Sequence, residues 1–432
     1  MTTTSRANVI ARTVISQFQK LPAKRKPTVR NNGLHEWVPL SGIVAEQDGK
    51  WTCLALATGM KCLPASKLHE ADGNAIHDWH AEVLAIRAFN RFLIDECKTL
   101  QQGKFASILQ ACGSHEPKPF RIRDGLKLHM YCSEAPCGDA SMELIMAAQD
   151  DASPWDIPPS PATTESDATA ASLPGRAYFS QLGVVRRKPA RGDAPPTLSK
   201  SCSDKITLKQ CTSLLSSLTS LFVDTSSAYI DTLVLPGSQY SATGCQRAFS
   251  ERVNNLMNVS WPGGYQFRPF TVETTDEEFE LSRKKTRERS ENIAPSNIAA
   301  AWSVELSRKK IRERSENIAP SNIAAAWSAT GVEETILGGV IQGRKPFDVK
   351  GASKMSRRQL WLAAREVSNS LNGYGGIRRL LSSKTYQDVK NGDLLADRRH
   401  VKQHVRTTAL AGWIPNLGDS NFSICTGARK QS

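Results

Sequence analysis

The chain of 432 residues contains no apolar run near the length needed to cross a bilayer, about 18 residues, and its first residues lack the succession of charged, apolar and small residues that marks a secretory leader. These absences predict a soluble, intracellular protein with no membrane partner. Acids are missing from residues 1–35, which carry seven Lys or Arg (Arg6, Arg12, Lys20, Lys24, Arg25, Lys26, Arg30). One cysteine is also missing where a motif would lead one to expect it. "SEAPCGDASMEL" (133–144) places Pro136-Cys137 at the head of a helix-like run, yet the position three residues after Cys137 is Ala140. The ten cysteines lie too far apart along the chain for a disulfide framework, so they read as reduced thiols or metal ligands.

The formal net charge of +14 is unevenly placed, and residues 344–432 hold seventeen basic and six acidic residues. Such a surplus suits a polyanionic partner, with nucleic acid first and an inositol or nucleotide phosphate second. The acid-free start repeats Ile10, Val14, Phe18 and Leu21 at helical spacing. It reads as a basic N-terminal helix over 1–30. A mitochondrial transit peptide shares these features, but an ordinary helix and a cytoplasmic or nuclear location are the expectation.

Residues 151–175 are rich in Pro, Ser, Thr, Ala and Asp and read as a disordered insertion. A 25-residue segment beginning "LSRKKTRERSENIAPSNIAAAWS" at 281 recurs at 306, with differences at position 311 and the last two places. Two near-identical copies predict that one fills the core, that the other is looped out, and that deleting 25 residues leaves folding intact. "GLKLHMYCS" alternates Leu126, Leu128 and Met130 as a strand does, and "YIDTLVL" (229–235) is a second strand. "HAEVLAIRAFNRFLIDECKTL" (80–100) reads as a long helix, and "GDASMELIMAAQD" begins another. The pattern is α/β, with a strand between two helices that each start at a candidate ligand.

The first of those ligands is His80. His80 and Glu82 are two residues apart and cannot both aim at one ion from a helix, which suits a metal-binding His80 and a proton-handling Glu82. Joined to Pro136-Cys137 some 57 residues on, they match the H-x-E followed by P-C signature of zinc nucleobase deaminases. Cys202, in "SKSCSDKI", is the best candidate for the third ligand. Cys132 and Cys211 are weaker alternatives, the latter inside an apolar run.

"DWHAEVLAIRAF", "SEAPCGD", "RRKPAR" and "SCSDK", in this order, resemble the editase domain of the adenosine deaminases that act on RNA, and particularly their tRNA-specific eukaryotic branch. The likeness covers most of the chain from about residue 31. It implies a single editase domain over 31–432 with a cytidine-deaminase-like three-layer α/β/α core and an extended, mostly helical C-terminal part. It further implies one zinc ion on His80, Cys137 and Cys202, with Glu82 as the catalytic proton shuttle and Lys61 lining the substrate pocket. A zinc-activated water would attack C6 of adenine, Glu82 would protonate N1 and then the departing amine, and inosine would result. The implied substrate is tRNA, at position 37 beside the anticodon of alanine tRNA, bound by a monomer with no DNA partner.

The family also buries inositol hexakisphosphate, and the matching positions are Arg87, Lys205, Arg357, Tyr386, Lys390 and Lys402, with Trp413 nearby. Asp78, Lys188 and Lys205 match a polar relay between that anion and the zinc ligands. Ile86 stands where the family has an arginine, Lys200 replaces a Met and Met60 a Thr. "TLKQ" replaces Ala-Arg-Trp, so that one phosphate contact is missing or supplied by Lys209. A catalytically inactive, zinc-stabilised RNA-binding protein is the alternative, and the intact Glu82 argues against it. A free-nucleoside or cytidine deaminase suits neither the length nor the distant Cys202.

Overall fold

A computed structural model describes residues 5–113, 115–148, 173–174, 179–188, 194–291 and 317–424. Its centre is a mixed eight-stranded sheet: β1 (Leu40–Gln47), β2 (Lys50–Thr58), β3 (Lys127–Cys132), β4 (Ile230–Pro236), β5 (Thr271–Thr275), β6 (Ala324–Ser328), β7 (Val332–Leu337) and β8 (Val340–Ile341). The spatial order is β5-β4-β3-β1-β2-β6-β7-β8. β3, β4 and β5 run parallel and the other pairings are antiparallel. Parallel neighbours need crossovers, and the two crossovers in this half carry helices. The first contains α3 (Met142–Ala147) and α4 (Cys202–Thr212), and the second α5 (Ala242–Phe249).

Alternation along the strands divides the core in two. Leu128, Met130 and Cys132 face the same cluster as Leu84, Ala88 and Phe92 of α2 (Ala81–Gln101), so the long helix covers one face. Tyr131 and Val234 face the other, which α1 (Arg6–Gln19) covers with Ile10, Val14 and Phe18. There α1 lies so close that a Cβ on Gly42 would come 2.6 Å from Val14 Cγ1. The three-layer α/β/α core is therefore present. The basic N-terminal helix, expected over 1–30, ends at Gln19, and it is a layer of the core rather than an element outside the domain. Its charges face outward while its apolar residues are spent on the sheet.

The C-terminal part is helical as expected: α7 (Arg357–Asn369), α8 (Gly375–Leu381), α9 (Tyr386–Asn391) and α10 (Ala396–Thr407). Trp361 of α7 is fully buried and donates its indole N–H to Leu381 O at 3.0 Å. The helix expected to begin in "GDASMELIMAAQD" is short, a 3-10 turn at Asp139–Ser141 followed by six-residue α3. Of the insertion at 151–175 only Leu173 and Pro174 are described, and they pair with Arg186 and Arg187; the disorder expected of the rest lies outside the described residues.

The repeat contributes one composite copy. α6 (Arg283–Glu291) comes from the first copy and β6 from the second. Val38 N–H donates to Leu281 O at 2.9 Å, which seats the start of the first copy. Ser328 pairs with Val332 across a tight turn, and only the second copy adjoins β7. Residues 292–316, one full period, lie outside the described residues, and so does the looped-out state expected of one copy.

Candidate active site

Three segments meet beyond the carboxyl end of β3. His80 caps the amino end of α2 with extended dihedrals (φ −63°, ψ 144°), and Ala81 N–H reaches Gly59 O at 2.9 Å. Cys137 lies in the loop after β3, where Gly138 has φ 104°. A Cβ on Gly138 would come 2.4 Å from Ser201 Oγ, so glycine is what lets this loop seat against the start of α4. Cys202 is the first residue of α4, whose cap Ser201 accepts Asp204 N–H at 3.0 Å. Ser203 N–H donates to Cys137 O at 3.0 Å, and Cys202 N–H donates to Cys137 Sγ at 3.3 Å. The two thiols, 65 residues apart in sequence, are thus neighbours.

Asp78 ties this pair to His80. Its Oδ1 accepts from the His80 backbone at 3.0 Å and from His80 Nδ1 at 2.9 Å. Its Oδ2 accepts from Lys188 Nζ at 2.9 Å, from Ser199 Oγ at 2.5 Å and from Lys205 Nζ. Lys188 Nζ also lies 3.2 Å from Cys202 Sγ. Asp78 and Lys188 are only 4% and 5% exposed. Burial pushes the Asp78 carboxyl up, but Lys188 and Lys205 outweigh it and hold the group well below its ordinary range. A hydrogen bond from Cys202 holds the Cys137 thiol well below its usual value, against burial and with help from Lys188 and His80. Burial raises Cys202 instead, so Cys137 is the first thiolate of the pair. Glu82 is 6% exposed, and burial with the nearby Cys137 raises its carboxyl.

The His80 ring directs Nδ1 at Asp78 and at Cys62 Sγ, 3.6 Å away. Against burial and Lys188, Asp78 and Cys62 push the imidazole up to about 10. Among the described residues, Cys62, Asp78 and His80 form the group of metal-capable atoms that all lie within 4.8 Å of one another; His80, Cys137 and Cys202 do not form such a group. The donor set of one imidazole and two thiols, one poised as thiolate, nevertheless suits a zinc site with three protein ligands and an open position. Ala140, set in the sequence where a second cysteine would stand, is fully buried and donates its N–H to Ser203 Oγ at 3.2 Å.

Lys61 Nζ bonds Asn322 Oδ1 at the rim, and Met60 packs partly buried against the α1 side of the sheet. Four neighbours escaped the sequence: Ser199, Cys62, Asn322 and Glu134. Ser199 and Cys62 stand close to recognised motifs in "LSKSCSDK" and "GMKC", whereas Asn322 comes from the repeat, where nothing marks it. Glu134 accepts Arg283 N–H at 3.0 Å, and burial pushes its carboxyl up to about 7.

Past the other end of α4 cations gather, and the buried Asp419 pairs with Arg357 at 3.3 Å. Burial, then Arg357, lowers Arg87 to about 10. Burial, then Arg357, Arg398 and Arg406, lowers Lys390 to about 7. Lys402 falls well below its ordinary value through burial and then Arg398, Lys390 and Lys209. Tyr386 is raised by burial against the pull of Arg357 and Arg87. Five of the six positions matched to the anion thus feel one another, while Lys205 is bound to Asp78 instead. Lys209 and Arg398 join the group: Lys209 Nζ donates to Leu214 O and Leu215 O at 3.0 and 2.9 Å, and Arg398 donates to Thr212 O at 2.6 Å. Ile86 and Leu208 are buried among apolar side chains, and Trp413 lies 4.8 Å beneath the Arg406 guanidinium.

A family description of the adenosine-deaminase (editase) domain matches residues 55–416. The tRNA-specific adenosine deaminase 1 of Schizosaccharomyces pombe is 32% identical over 419 residues, 95% of either chain. That of Saccharomyces cerevisiae is 33% identical over 255 residues, covering 58% of this chain and 63% of its own. That of Drosophila melanogaster is 32% identical over 201 residues, 46% and 47% of the two chains.

Proposed function

Because the chain belongs to the adenosine-deaminase (editase) domain family and is an enzyme that deaminates adenosine, we propose that it converts adenosine to inosine in tRNA, at position 37 of alanine tRNA, with one zinc ion held by His80, Cys137 and Cys202. The observation that carries this proposal is the contact between Cys202 and Cys137 beside a buried Glu82. Zinc held there supplies Lewis acidity that brings the pKa of a water toward about 7. Asp78 orients His80 through Nδ1, as a carboxylate commonly does for a metal-binding histidine. Lys188 stabilises thiolate character at Cys202 across 3.2 Å. The raised carboxyl of Glu82 is suited to give a proton to N1 of adenine, take one from water and pass it to the leaving amine. Lys61, held by Asn322, lines the entry.

We further propose inositol hexakisphosphate among Arg87, Lys209, Arg357, Tyr386, Lys390, Arg398 and Lys402. What supports it is the mutual repulsion of these cations, which Asp419 answers at Arg357 and which a polyanion in their midst would relieve for the rest. Lys205 stays outside that group and, through Asp78, is tied to His80.

The test is to incubate the zinc-loaded protein with an alanine tRNA transcript and sequence for inosine. Wild type should convert position 37, and Glu82→Gln should lose about 10²–10⁴-fold in rate while keeping its zinc and its melting temperature. A wild type that binds the transcript without converting it would instead indicate an inactive RNA-binding protein, and conversion by Glu82→Gln at full rate would exclude the shuttle.

A further inference from the structure

We propose that α6 is the surface on which the substrate's phosphate backbone lies beside the edited nucleotide, a role that rests on tRNA being the substrate. Hydrogen bonds and ring contacts set the helix at the site's rim. Arg283 N–H donates to Glu134, three residues before Cys137, at 3.0 Å, and the Arg283 guanidinium sits 5.9 Å over the Trp37 ring. Trp37 O accepts Ser321 N–H at 2.9 Å, and the next residue, Asn322, holds Lys61. A continuous edge therefore runs from α6 through Trp37 and Asn322 to the entry.

The composition of α6 is that of a surface offered to an anion. Arg283, Lys284, Lys285, Arg287 and Arg289 face two acids within the helix, Glu288 and Glu291, a surplus of three positive charges. Its inward face is Ser282, Thr286 and Ser290, all buried, so no apolar stripe accounts for the helix being there. Glu278 takes Lys284 and Glu288 takes Lys285, each at 2.8 Å. Arg283 and Arg289 are exposed, in contrast to Lys390 and Lys402, which turn inward. Guanidinium forks match phosphate oxygens two at a time. Nine residues at about 1.5 Å each give an edge of about 13 Å, long enough for several successive phosphates of one strand. A nucleotide placed in the entry would bring its flanking backbone onto that edge.

The test compares wild type with Arg283→Gln/Arg287→Gln/Arg289→Gln and with the exposed pair Lys284→Gln/Arg289→Gln, which keeps the Arg283 contacts if the triple variant misfolds. Inosine formation in the alanine tRNA transcript is measured from 50 to 300 mM salt, on the order of physiological ionic strength. The triple variant should raise KM roughly tenfold or more with kcat at saturation retained, and the slope of log K against log salt should shrink by about 0.7–0.9 for each phosphate no longer engaged. Folded variants with the wild-type KM and salt slope would overturn the docking surface alone. A wild type that neither binds nor edits the transcript would overturn the tRNA assignment and this inference with it.

Discussion

Helix α4 carries a lysine toward each end, and the two meet opposite surroundings. Lys205, in the first turn, lies on Asp78 and 2.6 Å from Ser199 Oγ, in a knot where two lysines share one buried carboxylate. Lys209, one turn on, donates among the described residues to main-chain carbonyls alone and faces Arg398, Arg87 and Lys390. Among the described residues no salt bridge reaches Lys209, Lys390 or Lys402. Buried charge is tolerated at one end because it is paired within the chain. At the other, the three lysines have no carboxylate partner among the described residues, and the proposed hexakisphosphate would supply the missing charge.

The largest effect should come from breaking the paired end. Asp78→Asn strands Lys188 and Lys205 and releases His80, and removing one partner of a buried pair costs about 3–5 kcal/mol. The melting temperature should fall steeply and zinc content should fall with it. A second change, Lys188→Met, should recover part of the stability but not the activity, because it also removes the cation beside Cys202.

The unpaired end should respond in the opposite sense to an added anion. Lys390 is pushed down to about 7 in the folded chain, from an ordinary value of about 10.4. The unfolded chain therefore binds more protons between those two values, so stability without a polyanion should fall as pH drops from about 10 to 7 and change no further from this group below 7. Inositol hexakisphosphate should flatten or reverse that trend, since it favours the protonated lysine. At one hundred times its Kd it should add about 2.7 kcal/mol. A stability profile that rises toward low pH without the anion, measured by thermal unfolding, would contradict the picture.

Lys209→Met separates the two ends with a smaller change. Without added anion it removes a buried cation from a repelling group and should raise stability by on the order of 1 kcal/mol. With the hexakisphosphate it should lower the gain. The same substitution at Lys205 should destabilise in both conditions, because Asp78 loses a partner.

Much of this layout was legible as pattern. The periodicities of α2, β3 and β4 were plain, and the motifs around His80, Cys137 and Cys202 named residues that the fold draws toward one place. Orientation was not legible. No spacing says that the His80 ring turns Nδ1 to Asp78 and Cys62, and it was the resemblance, not the pattern, that set Lys188 and Lys205 beside Asp78. α1 shows the same limit, since its acid-free charge is conspicuous in sequence while Ile10, Val14 and Phe18 place it inside the core. The repeat was visible, but which half of each copy enters the fold depends on connections: Leu281 to Val38 upstream and the β6–β7 turn downstream.

Those connections give the comparison a control with a smaller effect still. Deleting 292–316 joins Glu291 to Asn317 and leaves one repeat, touching neither end of α4. Deleting 281–305 leaves the same sequence except that the helix carries Ile311 in place of Thr286. Thr286 is fully buried and its hydroxyl has no hydrogen-bond partner among the described residues. An unsatisfied buried hydroxyl costs about 1–3 kcal/mol, part of which the larger isoleucine must give back where its extra volume crowds the site. Both products should fold and keep the response to hexakisphosphate, and the isoleucine form should be more stable by about 1 kcal/mol in denaturant unfolding. If either deletion changed the pH dependence assigned to Lys390, the repeat and the basic cluster would be coupled, and the contrast between the two ends of α4 would no longer be a property of that helix and its immediate neighbours.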